Sequence, residues 1–223
     1  MNSHINTSSK ATLIIVSAPS GAGKTSLVKA LLQNLDDLSV SISHTTRQPR
    51  PGETDGTDYH FVSTAEFEKI KASNGFLESA QVFDRYYGTA RATVDNLLSK
   101  GIDVILEIDW QGAQQVRQQY PDCVSIFILP PSLSALERRL HKRAQDNEQA
   151  IIRRMQDAVS EISHYAEYEY LIVNEDFEVA MNAFKSIVLT TRQLTRRQKI
   201  QQQSILANLL IDKAILEETV GQK

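Results

Sequence analysis

The segment Ser17-Ala-Pro-Ser-Gly-Ala-Gly-Lys-Thr25 collects the residue types that hold a nucleotide phosphate. The apolar run Leu13-Ile-Ile-Val16 precedes it, and Leu27, Val28, Leu31, Leu32 and Leu35 follow at helical spacing. Strand, tight loop and helix in that order are what a phosphate-binding P-loop requires. Ala18, Pro19, Ser20, Gly21, Ala22 and Gly23 form the loop. Gly21 and Gly23 let it turn with no Cβ in the way. Its N–H groups and the helix N-terminus then point at one anion. Lys24 is placed to reach terminal phosphates, and the Thr25 hydroxyl to ligate Mg²⁺. Ala18 stands where the consensus has glycine, and a glycine-rich turn beside a solvated lysine is the plainer alternative.

Other charged groups stand at telling places. Arg47 and Arg50 lie three apart in Thr46-Arg-Gln-Pro-Arg-Pro-Gly52, whose prolines favour extended backbone. A phosphate monoester favours bidentate, always-charged donors, which arginine supplies better than lysine. Glu107 and Asp109 end the apolar run from Val104, and ligands in open α/β sheets bind at the carboxyl ends of strands. Arg138, Arg139, Arg143, Arg153 and Arg154 crowd two helical segments around a polar loop, either as a solvated face or as a lid over phosphates.

The elements that must position these groups follow from periodicity. Ser39–Ser43 alternates as a half-buried strand, and Tyr59–Val62 is a short strand. Thr64 is the expected cap of a helix from Ala65 to about Ser73. Phe76–Phe83 and Tyr86–Thr89 read as strands joined at Asp84-Arg85. Helices are expected at Val94–Leu98, Ala113–Gln119, Leu133–Arg143 and Ala150–Tyr165, with buried-type strands at Val104–Asp109, Val124–Leu129 and Tyr170–Val173. The chain from Val179 onward is largely helical. This alternation predicts an α/β fold, a parallel sheet flanked by helices, with a small β-rich lobe inserted. The expected divisions are a flexible tail over 1–10, a core over 11–42 and 91–191 with a lid near 138–155, a lobe over 43–90 and a helical extension over 192–223.

Composition sets outer limits. A chain of 223 residues, 41% hydrophobic, suits one core with a small inserted lobe. A net charge of −3 argues against a general nucleic-acid binder. The single cysteine, Cys123, allows no intrachain disulfide and sits beside a buried-type strand. Met1–Lys10 is polar, with no signal-peptide core, and no apolar stretch nears the roughly 20 residues of a membrane helix. The expectation is a soluble cytoplasmic protein with no membrane partner. Ile200, Ile205, Leu206, Leu209, Leu210 and Ile215 recur at roughly helical spacing. This C-terminal helix either builds a homo-oligomer or packs on its own domain.

The block Ser43-His-Thr-Thr-Arg-Gln-Pro-Arg-Pro-Gly-Glu-Thr-Asp-Gly-Thr-Asp-Tyr59 resembles guanylate kinase. So do Gly75-Phe-Leu-Glu78, Tyr86-Tyr-Gly-Thr89 and Leu106-Glu-Ile-Asp-Trp-Gln-Gly112, in the family's order. The resemblance runs from about Leu13 to Asp176. It implies transfer of the ATP γ-phosphoryl group to GMP with Mg²⁺, ATP and GMP being the small-molecule partners. It places Arg47, Arg50, Tyr59 and Tyr87 on the GMP phosphate, and Ser43, Glu78 and Thr89 on the guanine edge. Guanine presents two parallel donors, N1–H and the N2 amino group, and one carboxylate accepts both. The resemblance sets Glu107 and Asp109 beside GMP and the metal, with Glu107 and Thr25 as metal candidates and the division between the two carboxylates open. Arg143 and Arg154 match lid positions over the ATP phosphates, with Lys24 and Arg47 completing the catalytic set. Arg139 and Asn174 match positions near adenine.

The chain departs from the family in places. Ser79 stands where an aromatic residue is common, Thr89 where serine is, and Ala144 where glycine follows Arg143. Phe83-Asp-Arg85 replaces a commoner His-Gly-Asn. Two other classes compete: a scaffold module that keeps the fold without turnover, and a P-loop kinase for another phosphorylated small molecule. Intact Lys24, Thr25 and lid arginines oppose the first. The guanine-reading set Ser43, Glu78 and Thr89 opposes the second.

Overall fold

The computed structural model describes residues 10–82, 84–142 and 148–210. In chain order its elements are β1 (Leu13–Ser17), α1 (Lys24–Asn34), β2 (Leu38–Val40), β3 (His44–Thr45), β4 (His60–Phe61), α2 (Thr64–Ala72), β5 (Phe76–Val82), β6 (Arg85–Ala90) and α3 (Arg91–Ser99). There follow β7 (Asp103–Glu107), α4 (Trp110–Gln119), β8 (Val124–Leu129), α5 (Leu133–Lys142), α6 (Glu148–Ile162), a 3₁₀ turn at Tyr165–Glu167, β9 (Tyr170–Val173), α7 (Phe177–Arg192) and α8 (Thr195–Gln201). Residues 203–210 are also helical.

Five strands form one sheet in the order β2-β7-β1-β8-β9, and every pairing in it is parallel. A parallel sheet is covered on both faces, so its strands read as continuous apolar runs. The period of two sends alternate β1 side chains to opposite sides. Ile14 and Val16 join Leu27, Leu31, Phe184 and Val188 from α1 and α7. Leu13 and Ile15 join Val94, Ala113 and Val116 from α3 and α4. Each such fully buried aliphatic side chain contributes about 1.5–3 kcal/mol, which fixes β1 as the central strand.

A second sheet, β4-β3-β6-β5, is built around antiparallel β3–β6 and β5–β6 pairs. Phe67 of α2 packs against Phe76 at a tilt of 33° and stacks on Tyr86. The strand expected over Ser39–Ser43 divides here. Ser41 N–H makes a last bond to Ile105 O, and the chain then leaves for the second sheet at His44. Other local corrections are small. Ser63, not Thr64, caps α2, because extended Ser63 presents its hydroxyl to the Glu66 N–H at 3.2 Å. The strand expected over Tyr59–Val62 keeps only His60–Phe61. The helix expected to reach Tyr165 ends at Ile162. Cys123 is buried as expected, and burial pushes its thiol up to about 11.

At the amino ends of the strands, Asp103 is fully buried. It accepts from Thr12 N–H at 2.7 Å, Arg197 Nη1 at 2.6 Å and Arg192 Nε at 2.8 Å. This carboxylate ties α7 and α8 to the sheet. Ile205, Leu206, Leu209 and Leu210 are exposed, whereas Ile200 lines a hollow against the sheet end with Arg197 and Leu13. No helix among the described residues is long and apolar enough to cross a membrane.

Removing Asp103 leaves the Arg197 guanidinium buried and unpaired. Asp103→Ala should destabilise the fold by about 3–5 kcal/mol in urea unfolding. The folded fraction should keep normal turnover, because Asp103 begins β7 and the phosphate loop lies at the strands' other ends. A loss under 1 kcal/mol (roughly a surface-pair effect) would contradict this reading.

Candidate active site

The carboxyl ends of β1, β7 and β9 converge. Gly21 and Gly23 have φ of +93° and +96°, so the loop after β1 uses left-handed backbone at both. A Cβ on Gly23 would lie 2.3 Å from Asn174 Nδ2. That close approach serves a bond, since Asn174 Nδ2 donates to Ala22 O at 2.7 Å. Arg139 reaches the same carbonyl at 3.3 Å and donates to Asn174 O at 2.8 Å. Arg139 and Asn174 therefore hold the loop from behind, whatever they do toward a base.

The β1–β7 register sets Glu107 beside Val16. Thr25 Oγ1 donates to Glu107 Oε2 at 2.8 Å, so the two metal candidates converge. Hard oxygen donors side by side fit Mg²⁺, which commonly takes one or two protein ligands plus phosphate and water. Among the described residues no cluster of three acidic, His or Cys side chains that could hold a metal ion forms.

Asp109 lies beyond the strand end. It is the N-cap of α4, accepting from Gly112 N–H at 2.9 Å. Burial raises its carboxyl, while Gly112 N–H and Lys24 act the other way. Lys24 also opposes the rise of Glu161, which burial pushes up to about 7. Glu161 Oε2 accepts from Ser20 N–H at 3.3 Å, and Arg154 Nη2 donates to Ser20 Oγ at 2.6 Å. Arg154 and Glu161 sit seven apart on one face of α6 and grip one loop residue. Sequence reading missed Glu161, and that helical spacing from Arg154 was the available signal. Arg143 and Ala144 lie outside the described residues.

The second sheet carries the remaining candidates. Arg47 donates to Glu53 Oε1 and Gln48 O, each at 2.8 Å, and its guanidinium lies 5.3 Å from the Tyr59 ring centre. The Tyr59 and Tyr87 rings meet edge to face at 6.0 Å. Burial pushes the Tyr59 hydroxyl up to about 12, with Tyr87 and Glu107 adding to the rise. This keeps it a neutral donor. Arg50 is exposed; its backbone N–H donates to Glu53 Oε2 at 2.7 Å. Glu53 therefore organises the arginine turn.

Glu78 is 3% exposed, and among the described residues no cation figures in what shifts its carboxyl. Thr89 Oγ1 donates to its Oε1 at 2.6 Å, and Ser43 Oγ lies 3.5 Å from that hydroxyl. Burial pushes the Glu78 carboxyl up to about 7, and Asp109 adds to the rise while Thr89 opposes it. A buried carboxylate supplied with hydroxyls but no positive partner suits a ligand that brings its own donors.

The family model described as guanylate kinase matches residues 10–191. The chain is 59% identical over 198 residues to a guanylate kinase of Methylococcus capsulatus, covering 89% of this chain and 97% of that one. It is 55% identical over 203 residues to that of Escherichia coli K12, covering 90% and 98%. The crystal structure of guanylate kinase from Anaplasma phagocytophilum superposes with a TM-score of 0.72 at 34% identity, over 85% of this chain and 90% of that one.

Glu78 carries a stability signature. Its folded value near 7 exceeds the ordinary 4.5, so the folded state binds the proton more tightly. The resulting stability is fully present below pH 4.5 and is lost as pH rises through about 7. Glu78→Gln should flatten part of the decline between those pH values in urea unfolding of the ligand-free protein. Glu161 titrates in the same direction and keeps its own share. Identical pH slopes in wild type and variant would reject the assignment.

Proposed function

This chain belongs to the guanylate kinase family, and from that premise we propose which of its residues move the γ-phosphoryl group of ATP onto GMP. The chain is an ATP:GMP phosphotransferase. The observation that carries the residue reading is Glu78: a buried carboxylate beside Thr89, linked through Asp109 to the charge field of Lys24.

Guanine supplies the donors that Glu78 lacks. N1–H and the N2 amino group meet its two oxygens, and Thr89 and Ser43 extend the polar edge. Adenine offers an unprotonated N1 there, whose lone pair repels the carboxylate. Arg47, Arg50, Tyr59 and Tyr87 take the GMP phosphate. Arg47 is preorganised by Glu53, so binding adds a phosphate to a guanidinium already aimed. The loop Ala18–Thr25 takes the ATP phosphates, Arg139 and Asn174 keep its shape, and the family resemblance assigns both to the adenine side. These assignments also define a GMP lobe over 43–90 and a lid over 138–155.

The nucleophile is a GMP phosphate oxygen that is already ionised, so no protein base is needed. Charge spreads over the transferring group, and Lys24, Arg143 and Arg154 stabilise it. Thr25 and Glu107 would hold Mg²⁺, which when bound supplies charge neutralisation at the phosphate oxygens. Closure of the lobe and lid excludes the water that would otherwise hydrolyse ATP.

A coupled ADP-release assay with GMP, AMP and ribose 5-phosphate tests the substrate reading. Glu78→Gln should cut kcat/KM for GMP by about 10–10³-fold, since a hydrogen bond to a charged group and an unpaired donor are at stake. Its NH₂ can donate to adenine N1, so the GMP:AMP preference should fall further than GMP turnover alone. An unchanged preference means that the base is read elsewhere.

Lys24→Ala should lower kcat by roughly 10²-fold or more, the scale of one lost transition-state donor. The fold should survive, and near-normal turnover would rule out the P-loop assignment.

A further inference from the structure

β5 is an edge strand, bonded to β6 on one side only. The N–H and C=O groups on its outer side need partners. No strand supplies them near Glu78; helix α4 does. Gln115 makes a reciprocal pair with one residue: its Nε2 donates to Ser79 O at 2.9 Å, and its Oε1 accepts from Ser79 N–H at 3.1 Å. One turn on, Gln119 Nε2 donates to Leu77 O at 2.8 Å. The two amides thus grip the backbone on both sides of Glu78. Gly112, three residues before Gln115 on the same face, lets the helix approach the carboxylate itself. A Cβ there would lie 2.6 Å from Glu78 Oε2.

The strand register shifts between Phe76 and Glu78, so the regular pairing with β6 is broken immediately before the Glu78–Thr89 pair. A bulge frees a strand locally and re-aims its side chains. The α4 amides remove that freedom where it would matter. We propose that Gln115, assisted by Gln119, is a positioning residue for base selection, holding the Glu78 backbone so that its carboxylate meets both guanine donors. The inference rests on the reading of Glu78 as the guanine acceptor. It separates Gln115 from an ordinary strand cap, which would stabilise the fold without influencing which base is accepted.

The test compares GMP with IMP, whose base keeps N1–H and O6 but lacks the N2 amino group. A displaced Glu78 loses the two-donor match, so GMP suffers more than IMP. Gln115→Met keeps the volume and removes both bonds. It should lower the GMP:IMP ratio of kcat/KM by about 10-fold, the scale of one hydrogen bond, with KM for ATP unchanged. Gln119→Met removes one bond, is the gentler variant for folding, and should shift the ratio the same way by less. Combined with Glu78→Gln, Gln115→Met should lower the ratio no further, because both act through one group.

If Glu78→Gln collapses the ratio while Gln115→Met lowers GMP and IMP equally, Gln115 is a structural cap and the positioning role is overturned. If Glu78→Gln leaves the ratio intact, the base is not read by Glu78, and the positioning role falls with that reading.

Discussion

The parallel pairing of β1 with β7 is the constraint on which the site depends. Its register sets Glu107 level with Val16, one residue before β1 ends at Ser17. Thr25, at the start of α1, then finds Glu107 within hydrogen-bond reach. Two residues past Glu107, Asp109 caps α4 and fixes where that helix begins. The same helix places Gly112 against Glu78, and Gln115 and Gln119 along β5. A one-residue slip of β7 would move the Glu107 carboxylate, the Asp109 helix cap and the strand that carries Glu78 together. It would also turn Val104 and Leu106 out of their cluster, so core packing opposes the slip.

Burial of carboxylates separates structure from function in this molecule. Asp103 is fully buried and answered by two arginines and a backbone N–H, so both its oxygens are hydrogen-bonded within the fold. Glu78 is buried and Asp109 and Glu161 are half-buried, each with fewer partners, and desolvation raises all three. Lys24 is the cation that lowers both Asp109 and Glu161, so one ammonium offsets two acids. Such a concentration of poorly compensated charge costs stability, and it persists because the cleft is complementary to bound donors and cations rather than to itself.

The loop and its supports show how a phosphate site is held open. Left-handed glycines leave the Ala22 carbonyl facing away from the anion site, and Asn174 and Arg139 occupy it. On the other side, α6 reaches Ser20 through Arg154 and Glu161. In the proposed phosphate site, an entering anion would compete with Glu161 for the Ser20 N–H. The arginine turn repeats the device, with Glu53 holding the Arg47 guanidinium.

Local chemistry was legible in the chain itself. The phosphate loop needs glycine at defined backbone positions between a strand and a helix, and each of these leaves a local mark. The buried strands Leu13–Val16, Val104–Glu107 and Val124–Leu129 announce themselves as continuous apolar runs, because both faces of a parallel sheet are covered. The motifs around Arg47, Glu78 and Glu107 identified the family for the same reason: their residues are neighbours in the chain. Long-range partnership left no such mark. Gln115 and Gln119 look like any polar face of a helix until β5, some 36 and 42 residues away, lies beside them. Glu161 looks like a solvated helix acid until Ser20 arrives from 141 residues away. Asp109 read as a strand end because its capping partner depends on where the backbone turns, not on its own type. Periodicity records which face of an element is apolar, whereas the partner of a polar side chain is chosen only when distant backbone is brought within about 3 Å of it.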